Sequence, residues 1–211
     1  KGMPGIQAVG WSMGFPVGDS YRGSSPDVAE YRPGVEEDNV KRLFPRGALT
    51  FPVNGEYFEA MGMPLLQGRP FGPLDHAAGA EPVVIIGSRL AHKLRRDGNV
   101  LDCLIQHGWG SDLQVCRVVG VVSTLRDPYD ETSEWGQIYQ PISPDQAPIY
   151  MHIRTAPERE SPLLQNLGSM IHEIDPMLVV VSLMSLAEHH RGSYAVQQAR
   201  MNAQVITLFG M

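Results

Sequence analysis

The chain has 211 residues, with 17 Lys and Arg against 23 Asp and Glu and a formal net charge of −6. A hydrophobic content of 43%, a charged content of 19% and a mean hydropathy of −0.15 exclude both a disordered polyelectrolyte and a multi-span membrane protein. The charge has the wrong sign for chain-wide attraction to phosphate backbones, which speaks against a nucleic-acid binder.

Ile6 to Trp11 is the first strand candidate, followed by a polar stretch, Gly18 to Arg46, that is rich in Gly, Pro, Ser and acidic residues and reads as surface. Order resumes at Ala48 to Val53. A turn at Asn54-Gly55, a short helix over Glu56 to Met61 and a strand around Met63 to Gly68 follow, with Pro64 confined to that strand's start or edge. Pro82 to Ile86 is β-branched and apolar on both faces, so it reads as a buried strand. Ser88 is positioned to cap the next helix, whose inner face is Leu90, Ala91 and Leu94 and whose end is Asp97-Gly98.

Two strands, Leu101 to Gln106 and Asp112 to Val122, flank a Gly-rich turn at His107 to Ser111. If His107 faces Asp112, Cys103 lies directly opposite Cys116. A cross-strand disulfide is then geometrically possible, although two small buried hydrophobes account for the pair almost as well. Tyr150 to Arg154 reads as a strand. Ser161-Pro162 reads as the start of a helix with Leu163, Leu164, Leu167, Met170, Ile171 and Ile174 on one face, ending at Asp175-Pro176. Leu178 to Val181 reads as another buried strand, and Ser185 to Glu188 as the capping box of a final helix. The apolar run Ala203 to Met211 reads as an interrupted element, and Lys1 to Gly5 lacks the apolar core of a signal peptide.

Gly10-Trp11-Ser12-Met13-Gly14 matches the G-x-S-x-G pattern of a nucleophile elbow, with Asp175 and His189 following in the order of a hydrolase. The context argues against it, because Phe15-Pro16 opposes the helix that an elbow serine must start. A serine hydrolase using Ser12 therefore stands as one alternative reading, and a plain ligand- or adaptor-binding module as the other. Glu188-His189-His190 and His172-Glu173 with Asp175 supply metal-ligand types, but adjacent residues diverge by about 100° around a helix and cannot share a face. Two cysteines cannot make a four-cysteine zinc site, and no phosphate-binding glycine loop is present. No catalytic, cofactor-binding or metal-binding residue is thus assigned. Arg89, Lys93, Arg95 and Arg96 form a basic helix face, either plain solvated surface or a docking face for an acidic partner or lipid headgroups.

The stretch from Val53 to Phe71, with Tyr57-Phe58, Gly62-Met63-Pro64-Leu65-Leu66 and Gly68-Arg69-Pro70-Phe71 at its fixed points, resembles a segment of the MacB-like periplasmic core domain. That domain is the extracytoplasmic part of FtsX-like and MacB-like ABC transporter permeases. Further stretches agree in order: Pro82 to Leu94, Arg117 to Arg126, Ile138-Tyr139-Gln140-Pro141, Ile174-Asp175-Pro176, and Arg200 to Gly210. Two features depart from the family. Leu101-Asp102-Cys103 stands where a Gly-Lys/Arg pair is usual, and the paired cysteines are not general. The acidic Gly18 to Arg46 stretch resembles the duplicated orphan permeases, their second repeat in particular.

The resemblance implies an α+β fold with a porter-like subdomain of βαβ-type units from the two chain ends, residues 1–72 and 145–211, and a smaller inserted α/β, sabre-like subdomain, residues 73–144. It implies a non-enzymatic domain without cofactor, on the periplasmic side of an inner-membrane protein, with the chain's end running into a membrane helix. It further implies a cytoplasmic ABC ATPase subunit as partner, a homologous permease domain as dimer mate or second repeat, a periplasmic adaptor, and no nucleic acid.

Overall fold

The computed structural model describes residues 5–14, 24–25, 27–34, 43, 48–95, 99–108, 113–124, 136–142 and 150–192. The strands are β1 (Ile6–Ser12), β2 (Ser24–Ser25), β3 (Asp27–Glu30), β4 (Ala48–Val53), β5 (Leu65–Gly68), β6 (Val83–Gly87), β7 (Leu104–Gly108), β8 (Gln114–Val122), β9 (Gly136–Pro141) and β10 (Tyr150–Thr155). They form one mixed sheet in the order β10-β1-β4-β9-β6-β8-β7-β3, with β2 added to β4 and β5 added to β8. The helices are α1 (Tyr57–Ala60), α2 (Ser88–Leu94), α3 (Glu160–Ile174) and α4 (Leu186–Gly192).

The doubly apolar sequence of β6 makes it the divide between two cores. Val84 and Ile86 join Leu90 and Leu94 of α2, Ile105, Val118 and Ile138 on one face, while Val83 and Ile85 join Phe51, Tyr57, Phe58, Phe71 and Tyr139 on the other. β9 splits in the same way, Ile138 to the first cluster and Tyr139 to the second. Period-2 alternation in strands covered on both faces produces this division. Full burial of each such side chain contributes about 1.5–3 kcal/mol.

Several expectations are corrected. The polar stretch before Arg46 is not all surface, because Asp27–Glu30 pairs antiparallel with β7 and buries Val28 and Ala29. Two small apolar residues among polar ones are too short a signal to read as a strand. Ser88 does not cap α2. The N-cap is Gly87, and Thr124, arriving from the end of β8, accepts the Arg89 N–H at 3.1 Å while its own N–H donates to Ser88 Oγ at 3.2 Å. α3 starts at Glu160, ahead of Ser161-Pro162, because a 3-10 turn over Pro157–Arg159 leads into it. The capping box at α4 is as expected: Ser185 N–H donates to Glu188 Oε2 at 3.0 Å and Glu188 N–H donates to Ser185 Oγ at 3.1 Å. Leu178 to Val181, which the sequence marks as a buried strand, is neither buried nor paired into the sheet.

The β7–β8 register also differs. His107 faces Gln114 and Ile105 faces Cys116, so the connection between the strands is two residues longer than a closure at Asp112 would require. The Cys103 carbonyl accepts the Val118 N–H at 2.9 Å, so Cys103 does not lie opposite Cys116. The two cysteines are thus offset by two residues on the same face, a diagonal wider than the Cα separation a disulfide spans. Both are buried in the first core and neither forms a disulfide.

Just before β7, Asp102 adopts φ +61, the left-handed region, within the Leu101-Asp102-Cys103 stretch that stands where the resemblance expects a Gly-Lys/Arg pair. An L side chain there is strained, although Asp tolerates it better than most. Its contact with Arg117 is long, 3.8 Å, and solvent-exposed, so it adds little. Asp102→Gly is expected to raise stability by about 0.5 kcal/mol. A lower thermal midpoint than wild type would show that the Arg117 contact outweighs the strain.

Candidate functional site

The G-x-S-x-G serine has a histidine partner. β1 and β10 run antiparallel with Ser12 facing Tyr150 and Gly10 facing His152, so Gly10, Ser12, Tyr150 and His152 lie on one face. His152 reaches diagonally to Ser12, Nε2 to Oγ at 2.7 Å, and Ser12 Oγ donates to the Gly14 carbonyl at 2.7 Å. A hydroxyl has one proton. With that proton on Gly14, His152 Nε2 must carry its own hydrogen and donate it to Ser12. This is the reverse of a general base drawing a proton from a nucleophile.

Access is closed as well. Ser12 is 0% and His152 9% exposed, and the edge of the His152 ring packs on Tyr57 with ring centres 5.2 Å apart. Burial, reinforced by His189, pushes the His152 pKa down to about 4, so the ring is neutral at pH 7. Asp175 accepts the Met177 N–H at the end of α3, and the histidine that engages Ser12 is His152, not His189. The arrangement is a buried polar joint. It sits where β1 meets β4 through Ser12 opposite Val53, reinforced by Met13 N–H to Pro52 O at 3.0 Å and Asn54 N–H to Trp11 O at 3.1 Å. Sequence reasoning singled out Ser12 and missed His152, 140 positions away.

A second buried histidine, His107, lies among Cys116 and Gln140. The Gln140 amide nitrogen is 3.2 Å from His107 Nε2 and Cys116 Sγ is 3.5 Å from it. The amide nitrogen has only hydrogens to offer, so Nε2 accepts. Burial lowers the His107 pKa to about 4 and pushes the Cys116 thiol up to about 11. A thiol at that value is no nucleophile at neutral pH.

The segment that carries the family resemblance is structural. Arg69 Nη1 and Nη2 donate to Asp75 at 2.5 and 2.9 Å, and Asp75 also accepts the Gly72 N–H at 2.7 Å. That pairing holds the Asp75 carboxyl below its usual range. Arg69 N–H donates to Val119 O at 3.0 Å, and Gly68 at φ +75 leaves no room for a side chain beside Gly120. Phe71 is thereby delivered to the second core. The same segment borders an open groove of about 590 Å³, floored by Phe58, Met63, Leu65 and Phe71 and flanked by Glu56 and Glu59. It offers apolar contact and two exposed carboxylates but no nucleophile.

Arg89 and Lys93 are exposed on α2 as expected, whereas the exposed Arg95 is the extended residue that ends the helix, 3.9 Å from Glu30; Arg96 lies outside the described residues, as do Asp97-Gly98 and Ala203 to Met211. No three His, Cys, Asp or Glu side chains converge on a metal position among the described residues. No described helix is long and apolar enough to cross a membrane.

Fold and site together define a mixed-sheet α+β domain whose buried polar groups join strands to one another. The family model of the MacB-like periplasmic core domain matches residues 7–187, and the chain belongs to that family, the periplasmic domains of ABC transporter permeases. Two solved structures share the fold. The periplasmic region of MacB from Actinobacillus actinomycetemcomitans is 17% identical with a TM-score of 0.52, over 82% of this chain and 69% of that one. The extracellular domain of the noncanonic ABC-type transporter YknZ from Gram-positive bacteria is 16% identical with a TM-score of 0.53, over 88% and 84%. No curated protein matches the sequence.

Proposed function

We infer that the domain is a non-enzymatic moving part of a permease, held outside the membrane and displaced by ATP hydrolysis in a separate cytoplasmic subunit. The family match over residues 7–187 carries this reading. The closed Ser12–His152 pair supports it, because the serine that matches the nucleophile-elbow pattern is buried and hydrogen-bonded in the wrong sense for attack. A homologous permease domain and a periplasmic adaptor are the further partners, and the basic face of Arg89, Lys93, Arg95 and Arg96 is the docking surface offered to an acidic one.

The division into a porter-like subdomain, 1–72 with 145–211, and a sabre-like insert, 73–144, belongs to the same reading. It is supported by the pairing of the two chain ends through β1 and β10 and by the packing of β6, α2, β7 and β8 around one core. Among the described residues, three ladders join the two parts, the parallel β4–β9 pair and the antiparallel β3–β7 and β5–β8 pairs.

A topology reporter inserted after Tyr150 in the full-length permease is expected to read periplasmic or extracellular, and a cytoplasmic signal overturns the placement. Coupling is tested separately. An antibody fragment that clamps this domain is expected to lower ATP hydrolysis severalfold in the reconstituted permease–ATPase complex, and unchanged hydrolysis overturns it.

A further inference from the structure

Asn54-Gly55 is the one Asn-Gly pair in the chain, and both residues are fixed by what surrounds them. Asn54 follows β4 and lies against β1. Its N–H donates to the Trp11 carbonyl at 3.1 Å and its side-chain Oδ1 accepts the Trp11 N–H at 2.8 Å, so the side chain completes a pairing that a strand would make with its main chain. Its Nδ2 donates to Glu56 Oε2 at 2.6 Å, and its carbonyl accepts the Tyr57 N–H at 3.3 Å. Asn54 thereby ties the start of α1 to β1. At Gly55 a Cβ would overlap the Phe71 carbonyl oxygen, so a residue with a side chain does not fit after Asn54. The packing thus sets beside Asn54 the residue whose N–H is least shielded, because glycine has no Cβ.

We propose that Asn54 is a site of spontaneous modification, at which the side-chain amide becomes aspartate or isoaspartate through a cyclic imide with Gly55, and that the hydrogen bonds to Trp11 and Glu56 gate the reaction. The Gly55 nitrogen attacks Asn54 Cγ. The bond from Gly55 N to Cγ forms, the bond from Cγ to Nδ2 breaks, and Nδ2 leaves as ammonia with the Gly55 proton. Water then opens the ring at either carbonyl, with nothing oxidised or reduced. Asn54 and Gly55 are half-buried and Glu56 is exposed, so water reaches the ring. Ring closure requires Cγ to turn toward the Gly55 nitrogen, and the closed clasp opposes this by holding both ends of the amide. The reaction proceeds when α1 opens locally from β1. Both products weaken the joint. Aspartate presents an oxygen where Nδ2 donated, so two carboxylates meet across the contact with Glu56. Isoaspartate lengthens the main chain by one carbon between Asn54 and Gly55 and displaces the carbonyl that holds the Tyr57 N–H.

The test is peptide mapping by mass spectrometry of the 211-residue chain, held for weeks at body temperature and mildly alkaline pH beside a synthetic peptide of Pro52 to Phe58. The protein is expected to accumulate aspartate and isoaspartate at position 54, at a rate at least about tenfold below the peptide's. Asn99 and Asn166, followed by Val100 and Leu167, should show no comparable conversion. Glu56→Ala frees one end of the amide and should speed conversion severalfold, whereas Glu56→Gln keeps an oxygen acceptor and should stay near the wild-type rate. Thermal midpoints equal to wild type confirm that both variants keep the fold. The converted fraction, separated by ion exchange, should unfold at a lower temperature than the unconverted one. A wild type that converts no faster at Asn54 than at Asn166 overturns the proposal, as does one that keeps pace with the peptide. A Glu56→Ala protein that converts at the wild-type rate, or a converted fraction as stable as the unconverted one, equally overturns it. Every step uses only the chain's own residues and water, so none of these outcomes bears on the topology or ATP-hydrolysis results.

Discussion

Gly10→Ala is expected to cost at least about 3 kcal/mol, seen as a fall in the urea midpoint at unchanged slope. Gly10 lies on the face of β1 that α1 covers. A Cβ there would overlap the Tyr57 backbone, 2.9 Å from its nitrogen and 3.2 Å from the Ala60 Cβ. Backbone cannot swing aside as a side-chain tip can, so α1 would have to lift from β1. Tyr57 would then leave contacts with Phe58, Tyr139 and His152, whose ring centres lie 5.6, 6.1 and 5.2 Å away. Overpacking of this kind costs about 1–3 kcal/mol, and partial loss of a buried aromatic adds to it. Gly168 in the middle of α3 is the contrast, because no atom lies within 4 Å of its Cβ position. Gly168→Ala should raise stability by about 0.5–1 kcal/mol from helix propensity alone. A Gly10→Ala protein that unfolds at the wild-type midpoint would show that α1 does not press on β1 as described.

Features written in a few neighbouring residues were legible. The unbroken Val83-Val84-Ile85-Ile86 announced a strand covered on both faces, and Ser185 to Glu188 announced its own reciprocal hydrogen bonds. The motif around Gly68-Arg69-Pro70-Phe71 announced the family. Contacts between distant segments were not legible. Thr124 caps α2 from 35 positions away, and no local pattern distinguishes it from Ser88, which sits at the right place and has the right chemistry. His152 pairs with Ser12 because the β1–β10 ladder sets it opposite Gly10, on the diagonal to Ser12, a consequence of register and not of composition. The β7–β8 register turned on two residues of loop length, which the cysteine positions could not reveal. Leu178 to Val181 shows the limit from the other side. β-branched composition states that a segment favours a pleated, covered surface, but not which surface covers it.

Acid should destabilise the domain well above the range where carboxylates titrate. His107 and His152 are held neutral by burial, with pKa values of about 4 against 6.5 when unfolded. A depressed histidine pKa means that the unfolded chain binds the proton more readily. The stabilising contribution is therefore complete above pH 6.5, declines as the pH falls, and is gone below about pH 4. A gap of that size corresponds to about 3 kcal/mol for each ring. The Asp75–Arg69 pair acts lower down. Its carboxyl is depressed below 3.8, so its contribution persists through this window and is lost only beneath it. Among the described residues, His107 faces Gln140 and Cys116, while His152 faces Ser12, Tyr57, Tyr150 and the ring of His189, whose charge also lowers its pKa. Urea midpoints measured at pH 7, 5.5 and 4.5 should fall steadily. The double variant His107→Gln with His152→Gln should start lower at pH 7 and lose less over the same interval, because an amide supplies the hydrogen bonds without a titrating proton. A wild-type midpoint that holds constant from pH 7 to 4.5 would mean that both rings are hydrated in solution. Equal pH slopes in wild type and double variant would place the acid sensitivity elsewhere in the fold.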